Sequence, residues 1–270
     1  MQRENINGAD IEYLVQGEGE PLLFIHGNCI ADAFFPLLAE SRLAGSYRII
    51  LYHRRGYCGS ARACEPFDTS QQAADGQALL RHLGIARAHI VGHSYGAAIA
   101  LQWALDAPDQ VHSLAVLEPP LIKWVPSGKA FWEFIAFFNE MYKRGEREGM
   151  VDVYLTGLVG PEYRRLLNTA PPPGAFEQVV ADLDTFFQIE LPELQRWQFT
   201  AEDARRIRQP VLAVVGGETA PFHIEGHELL KQWVRHAEEL VAPLTNHALQ
   251  IINPGAIAEG LADFLSRHPL

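Results

Sequence analysis

A chain of 270 residues with 48% hydrophobic content is long enough for one large α/β domain carrying an insertion. Its formal charge of −11 argues against nucleic acid or an anionic membrane as partner, and its apolar runs are strand-sized, too short to span a bilayer. The three cysteines (Cys29, Cys58, Cys64) cannot all pair and form no C-x-x-C motif, and the charged N-terminal stretch is unlike a secretory signal, so a reducing, cytoplasmic setting is expected.

Strand-like apolar runs fall at residues 11–15, 22–26, 48–52, 89–91, 113–117, 211–215 and 239–242. Helical stretches at 70–83, 97–105, 227–236 and 256–264 separate most of them. That alternation predicts a mostly parallel sheet with helices on both faces. Between residues 119 and 208 the rhythm breaks: the pattern is helical only, interrupted by Pro171-Pro172-Pro173-Gly174. Residues 1–118 and 209–270 are therefore read as the core and 119–208 as an inserted helical cap. Of the 27 aromatic residues, 14 lie between Trp124 and Phe199, so the insertion has an apolar load of its own. Phe131, Phe134, Ile135, Phe138 and Tyr142 follow helical spacing, and Trp132 and Phe137 widen the stripe. Most of these aromatics are expected to form the cap's own core. Trp132, Phe134 and Phe138 are taken as candidates to line a substrate pocket.

Chemistry enters at Gly92-His93-Ser94-Tyr95-Gly96. A short apolar run precedes this G-x-S-x-G and a run of helix formers follows it, the pattern of a nucleophile elbow with Ser94 at its apex. A serine needs a base, an acid to orient that base, and donors for the oxyanion. Of the 11 histidines, His247 sits in the polar loop Thr245-Asn246-His247-Ala248 just beyond the last predicted strand, where α/β sheets place their ligands. His223, His227 and His236 fall on or beside a predicted helix and are read as a solvated face. The backbone N–H groups of Asn28, after the strand ending in His26-Gly27, and of Tyr95 are the candidate oxyanion donors. His26 is read as structural.

Taken together, His26-Gly27, the stretch Tyr52-His53-Arg54-Arg55-Gly56-Tyr57-Cys58-Gly59-Ser60, Gly92 through Gly96, residues 210–216 and Asn246-His247 resemble the α/β-hydrolase superfamily in its lidded, single-domain serine hydrolase form. The resemblance implies an eight-stranded, largely parallel sheet, a helical cap after the sixth strand, and hydrolysis with no metal or organic cofactor. Arg54-Arg55-Gly56 resembles a structural turn of the family. One departure matters: where relatives carry Gly-x-x-Asp after the penultimate strand, this chain has Gly216-Gly217-Glu218-Thr219. Some relatives, including a branch of the haloalkane dehalogenases, take their acid instead from the end of the sixth strand. Glu118 occupies that place in Val116-Leu117-Glu118-Pro119-Pro120 and is preferred over Glu218. A carboxylate ending a buried strand is seldom left without a partner, whereas one following two glycines is ordinarily solvated. The loop His26-Gly27-Asn28 is also similar to that of the dehalogenases, but those enzymes use an aspartate where this chain has Ser94.

The expected function is cleavage of small to medium carboxylic esters or lactones through an acyl-enzyme on Ser94, with a small apolar ester-like molecule as partner. C–C bond hydrolysis of ring-cleavage diketones and cofactor-free perhydrolase chemistry would use the same triad. A ligand-binding protein without turnover is an alternative of another class, disfavoured because a binder needs neither Ser94 nor His247.

Overall fold

The computed structural model describes residues 1–62, 65–169 and 172–270; Cys64 and Pro171, both named above, lie outside the described residues. Asn7 and Gly8 take positive φ (52° and 78°) and turn β1 (Gln2–Ile6) back onto β2 (Ala9–Gln16) as an antiparallel hairpin. The chain then alternates through β3 (Glu20–Ile25), the short α1 (Ser41–Ala44), β4 (Tyr47–His53), α2 (Thr69–His82), β5 (Ala88–His93), α3 (Tyr95–Asp106) and β6 (Val111–Leu117). The side chain of Asp68 caps α2 by accepting from the Gln71 N–H at 2.7 Å.

After β6 the described chain is helical: α4 (Gly128–Lys143), α5 (Arg147–Val159), α6 (Tyr163–Thr169), α7 (Ala175–Asp184), α8 (Leu191–Arg196) and α9 (Ala201–Arg206). A π-helical turn, Thr185–Glu190, joins α7 to α8. Pro192, in the first turn of α8, has no N–H to give the preceding carbonyls, which relaxes the α spacing there. The sheet resumes with β7 (Val211–Gly216), α10 (Pro221–Trp233) and β8 (Glu238–Ala242), then α11 (Leu249–Ile252) and α12 (Pro254–Arg267).

The eight strands lie in the order β1-β2-β4-β3-β5-β6-β7-β8, parallel from β4 to β8, with β1 and β2 antiparallel at one edge. Successive residues of each parallel strand point to opposite faces, and both faces are apolar. Leu23, Ile25, Ile50 and Tyr52 pack with α2, α3 and α10 on one side, whereas Leu22, Phe24, Ile49 and Leu51 pack with α12 on the other. A third cluster, built on Ile135, Phe138, Leu155, Val179 and Phe186, belongs to the helical segment and takes in Cys29, Ile30 and Ala33 of the loop after β3. Leu194, Trp197, Phe199, Ala204 and Ile207 instead join the main-domain cluster, although the sequence reading grouped them with the insertion.

Candidate active site

Ser94 stands between β5 and α3 at φ 53°, ψ −120°, a backbone conformation that costs a non-glycine residue about 1–3 kcal/mol and persists only where the surroundings impose it. The surroundings do so on two sides. The Ser94 N–H donates to the Leu117 carbonyl at 2.8 Å. A Cβ on Gly96 would lie 2.1 Å from the Ile25 carbonyl oxygen and one on Gly92 2.3 Å from the Gly96 oxygen, so only glycine lets the turn close. Tyr95 opens α3, and the helix N-terminus favours negative charge beside its amide.

Glu118, one residue beyond β6, also has positive φ (46°) and is fully buried. Its Oε2 accepts from His247 Nδ1 at 2.5 Å and from Thr219 Oγ1 at 3.1 Å, while Oε1 accepts from the Gly216 N–H at 2.8 Å. Burial alone would raise this carboxyl; the neighbouring imidazoles of His223 and His247 and these hydrogen bonds outweigh it and hold the group down at about 2. Thr219, standing where relatives carry the aspartate, thus donates to the carboxylate that partners His247. Glu218 is exposed at the cavity mouth, its N–H bonded to the Thr245 carbonyl.

His247 is held on three sides. Besides Glu118, His93 donates from Nε2 to the His247 carbonyl at 2.8 Å, its own Nδ1 accepting from Gln250 at 3.1 Å. His223 stacks on His247, with centroids 4.0 Å apart and planes 9° from parallel. The solvated-face reading of His223 and His227 is corrected here: both are buried, and His227 bonds Glu239 at 2.8 Å. The cause is the helix start: α10 begins at Pro221, six residues before the expected onset, and carries His223 inward. His236 is the exposed one of the three. Burial, reinforced by the neighbouring imidazole, pushes His93 down to about 3 and His223 well below the ordinary histidine range.

Asn28, Ser94, Tyr154 and His247 line one narrow recess. Tyr154, Leu158 and His247 also border a cavity of about 450 Å³ walled by Phe131, Phe134 and Phe222. Phe134, a candidate pocket residue, is one of these walls. Phe138 and Trp132 do not line this cavity: Phe138 is fully buried in the core of the helical segment, and Trp132 packs against the main-domain cluster. His26 holds its loop, donating from Nδ1 to the Gly27 carbonyl at 2.7 Å and accepting at Nε2 from the Arg54 N–H at 3.0 Å.

Glu118, His223 and His247 form a donor set that a metal ion could use in principle. Here Glu118 Oε2 already accepts from His247 Nδ1, and His223 Nδ1 lies 3.6 Å from the same oxygen, which is the arrangement of a hydrogen-bonded acid–base pair.

A family model described as the alpha/beta hydrolase fold matches residues 20–254. The chain belongs to the α/β-hydrolases. Among curated relatives, the dihydrolipoyllysine-residue acetyltransferase component of the acetoin cleaving system of Pseudomonas putida is 25% identical over 99% of this chain and 70% of its own length. The soluble epoxide hydrolase of a Corynebacterium species is 30% identical over 61% of this α/β-hydrolase and 57% of its own length. The thermophilic esterase from Thermogutta terrifontis superposes with a TM-score of 0.78 at 18% identity, covering 100% of both chains. The enol-lactonase from Burkholderia xenovorans LB400 does so with 0.74 at 18% identity, over 98% of this chain and 100% of that one. At these identities the two structures share the fold.

Proposed function

We propose that this α/β-hydrolase is a serine hydrolase that cleaves small to medium carboxylic esters or lactones through an acyl-enzyme on Ser94. The observation that carries the reading is the 2.5 Å bond between His247 Nδ1 and the buried Glu118, with Ser94 and His247 facing one recess. In this mechanism Glu118 holds the Nδ1–H tautomer, leaving Nε2 free to take the Ser94 proton as Oγ attacks the carbonyl. The N–H groups of Asn28 and Tyr95 receive the oxyanion, His247 returns the proton to the leaving alcohol, and water repeats the sequence to release the acid. Residues 119–208 act as a cap, and the 450 Å³ cavity with its phenylalanine walls suits an apolar acyl or alcohol group of modest size.

A fluorophosphonate probe tests the nucleophile. One equivalent should label the wild type, and none should label a folded Ser94→Ala variant. Labelling that survives Ser94→Ala would move the nucleophile elsewhere, and a folded wild type that resists the probe and turns over no ester would be a binder. A panel of acyl esters, lactones and vinylogous diketones then reads the substrate class; turnover of diketones alone would reassign the bond cleaved.

The positions of Phe134 and Phe138 separate two effects. Phe134→Ala should enlarge the cavity and shift preference toward longer acyl chains with little loss of stability. Phe138→Ala should cost about 3–5 kcal/mol in denaturant unfolding by opening a hole in a packed core, and leave chain-length preference unchanged. The reverse pattern would mean that Phe138 faces substrate.

A further inference from the structure

Beneath the loop that carries Asn28 lies a charge pair the acyl-transfer scheme does not use. Arg54 and Glu190 are both buried, and Arg54 Nη1 donates to Glu190 Oε1. Glu190 comes from the helical insertion, at the end of the π-helical turn, and Arg54 follows β4. The other carboxylate oxygen, Oε2, accepts from Tyr57 Oη at 2.5 Å and from Asn28 Nδ2. Arg54 meanwhile donates from Nε to the His26 carbonyl at 3.0 Å and from Nη2 to the Gly27 carbonyl at 2.8 Å.

The last of these contacts has a directional effect. The Gly27 carbonyl and the Asn28 N–H belong to one planar, trans peptide unit, so they point in opposite directions. Drawing the Gly27 oxygen toward Arg54 aims the Asn28 N–H away from Arg54. His26 Nδ1 holds the same oxygen at 2.7 Å, and Glu190 holds the Asn28 side chain, so the plane is fixed at both ends. Glu190 in turn supplies the charge that keeps the guanidinium in place in a region closed to water.

We propose that Glu190 is a positioning residue for the oxyanion hole: through Arg54 and Asn28 the inserted helical segment sets the orientation of the Gly27–Asn28 peptide. The proposal rests on the serine hydrolase reading, with Asn28 N–H as an oxyanion donor. Arg54, read from the sequence as part of a structural turn, becomes the link between insertion and site.

The test uses Glu190→Gln in the full-length protein, with wild-type fluorophosphonate labelling as reference. Kinetics on a short ester and inhibition by a trifluoromethyl ketone, whose serine adduct places an oxyanion in the hole, are measured alongside thermal unfolding. Glu190→Gln should lower kcat by roughly 10- to 100-fold and weaken the ketone by a similar factor, with KM within about threefold of wild type. A folded Glu190→Gln with a lower Tm but wild-type kcat and ketone affinity overturns the proposal, because an ion pair that only supports the fold would behave that way. If Glu190→Gln does not fold, Tyr57→Phe decides: it removes one bond to Oε2 and leaves the ion pair. A loss of several-fold in both kcat and ketone affinity at constant KM supports the proposal, and wild-type values overturn it. A wild type that the probe does not label overturns the serine hydrolase reading and this one with it, whereas a labelled wild type beside a normal variant overturns this one alone.

Discussion

Glu118→Gln should lower kcat by roughly 10³–10⁴-fold with KM little changed, and Glu218→Gln should leave both within about twofold. The size of the effect follows from how the carboxylate is held. Its Oε1 accepts from the Gly216 N–H, a backbone donor that cannot move, so in the amide variant the carbonyl oxygen stays on that side. The NH2 group is then forced to face His247 Nδ1 and Thr219 Oγ1. A donor at that place makes Nδ1 an acceptor and puts the imidazole proton on Nε2, where it can no longer take the Ser94 proton. Glu218 is exposed at the cavity mouth and has no such hold on the ring. Steady-state kinetics of both variants, with circular dichroism to check folding, decide the matter. A crippled Glu218→Gln beside a nearly normal Glu118→Gln would assign the acid to Glu218.

The second large effect is on stability in acid. His26, His93 and His223 are buried and held below the ordinary histidine range, chiefly by burial; His89 shifts the same way. Below about pH 6.5 the unfolded chain binds a proton at each such histidine while the native state does not. Native stability therefore falls as the pH drops, by up to about 1.4 kcal/mol per pH unit for each histidine, down to about pH 3 in the case of His93. Glu118, held at about 2, has the same sign: its contribution is present above the ordinary carboxylate value and fades as the pH falls through about 2. His53 has the opposite sign. Burial works to lower it, but Asp32 at 2.8 Å and Glu12 at 2.7 Å raise it, so its contribution is complete below about pH 6.5 and is lost at higher pH. Against a total stability of about 5–15 kcal/mol, typical of a domain, the combined fall from these histidines should be readily measurable between pH 7 and 5. Urea titrations at pH 7.5, 6.0 and 5.0 measure the slope. Stability that stays flat from pH 7 to 5 would contradict the neutral, buried state of these rings.

The parts of the molecule that were legible in the sequence are those where one residue satisfies several constraints at once. Ser94 sits between a buried strand and a helix on a turn that only glycines permit. Glu118 stands out because a carboxylate at the end of an apolar strand demands a partner, and His247, Thr219 and the Gly216 N–H all bond to it. Seven of the eight strands announce themselves as apolar runs, whereas β1 (Gln2–Ile6) is polar and exposed over most of its length. Its signal was Asn7-Gly8, a pair suited to the tight hairpin turn that it makes. His223 was hidden for a different reason. Helical periodicity becomes plain only near residue 227, but Pro221 at the first turn of α10 was the cue that the helix starts earlier. For Trp132 and Phe138 the limit is geometric: a stripe of aromatics fixes which helix face is apolar, not whether that face meets another helix or open space. Glu190 shows the same limit from the polar side, an acid in an apolar helical run whose partner, Arg54, lies 136 positions away.

The Arg54–Glu190 pair also bears on recombination between hydrolases. Caps are attractive modules to exchange, since they leave the sheet untouched and carry much of the cavity wall. Here one half of a buried charge pair travels with the insertion and the other stays behind with β4. A chimera that imports a cap without an acid at this place would strand a guanidinium in a site closed to water, at a cost of about 3–5 kcal/mol. It would also release the Gly27–Asn28 peptide in the same step. Any useful graft must therefore carry Glu190 with the helical segment or replace Arg54, Tyr57 and Asn28 along with it, which makes this insertion a less portable module than its position between two strands suggests.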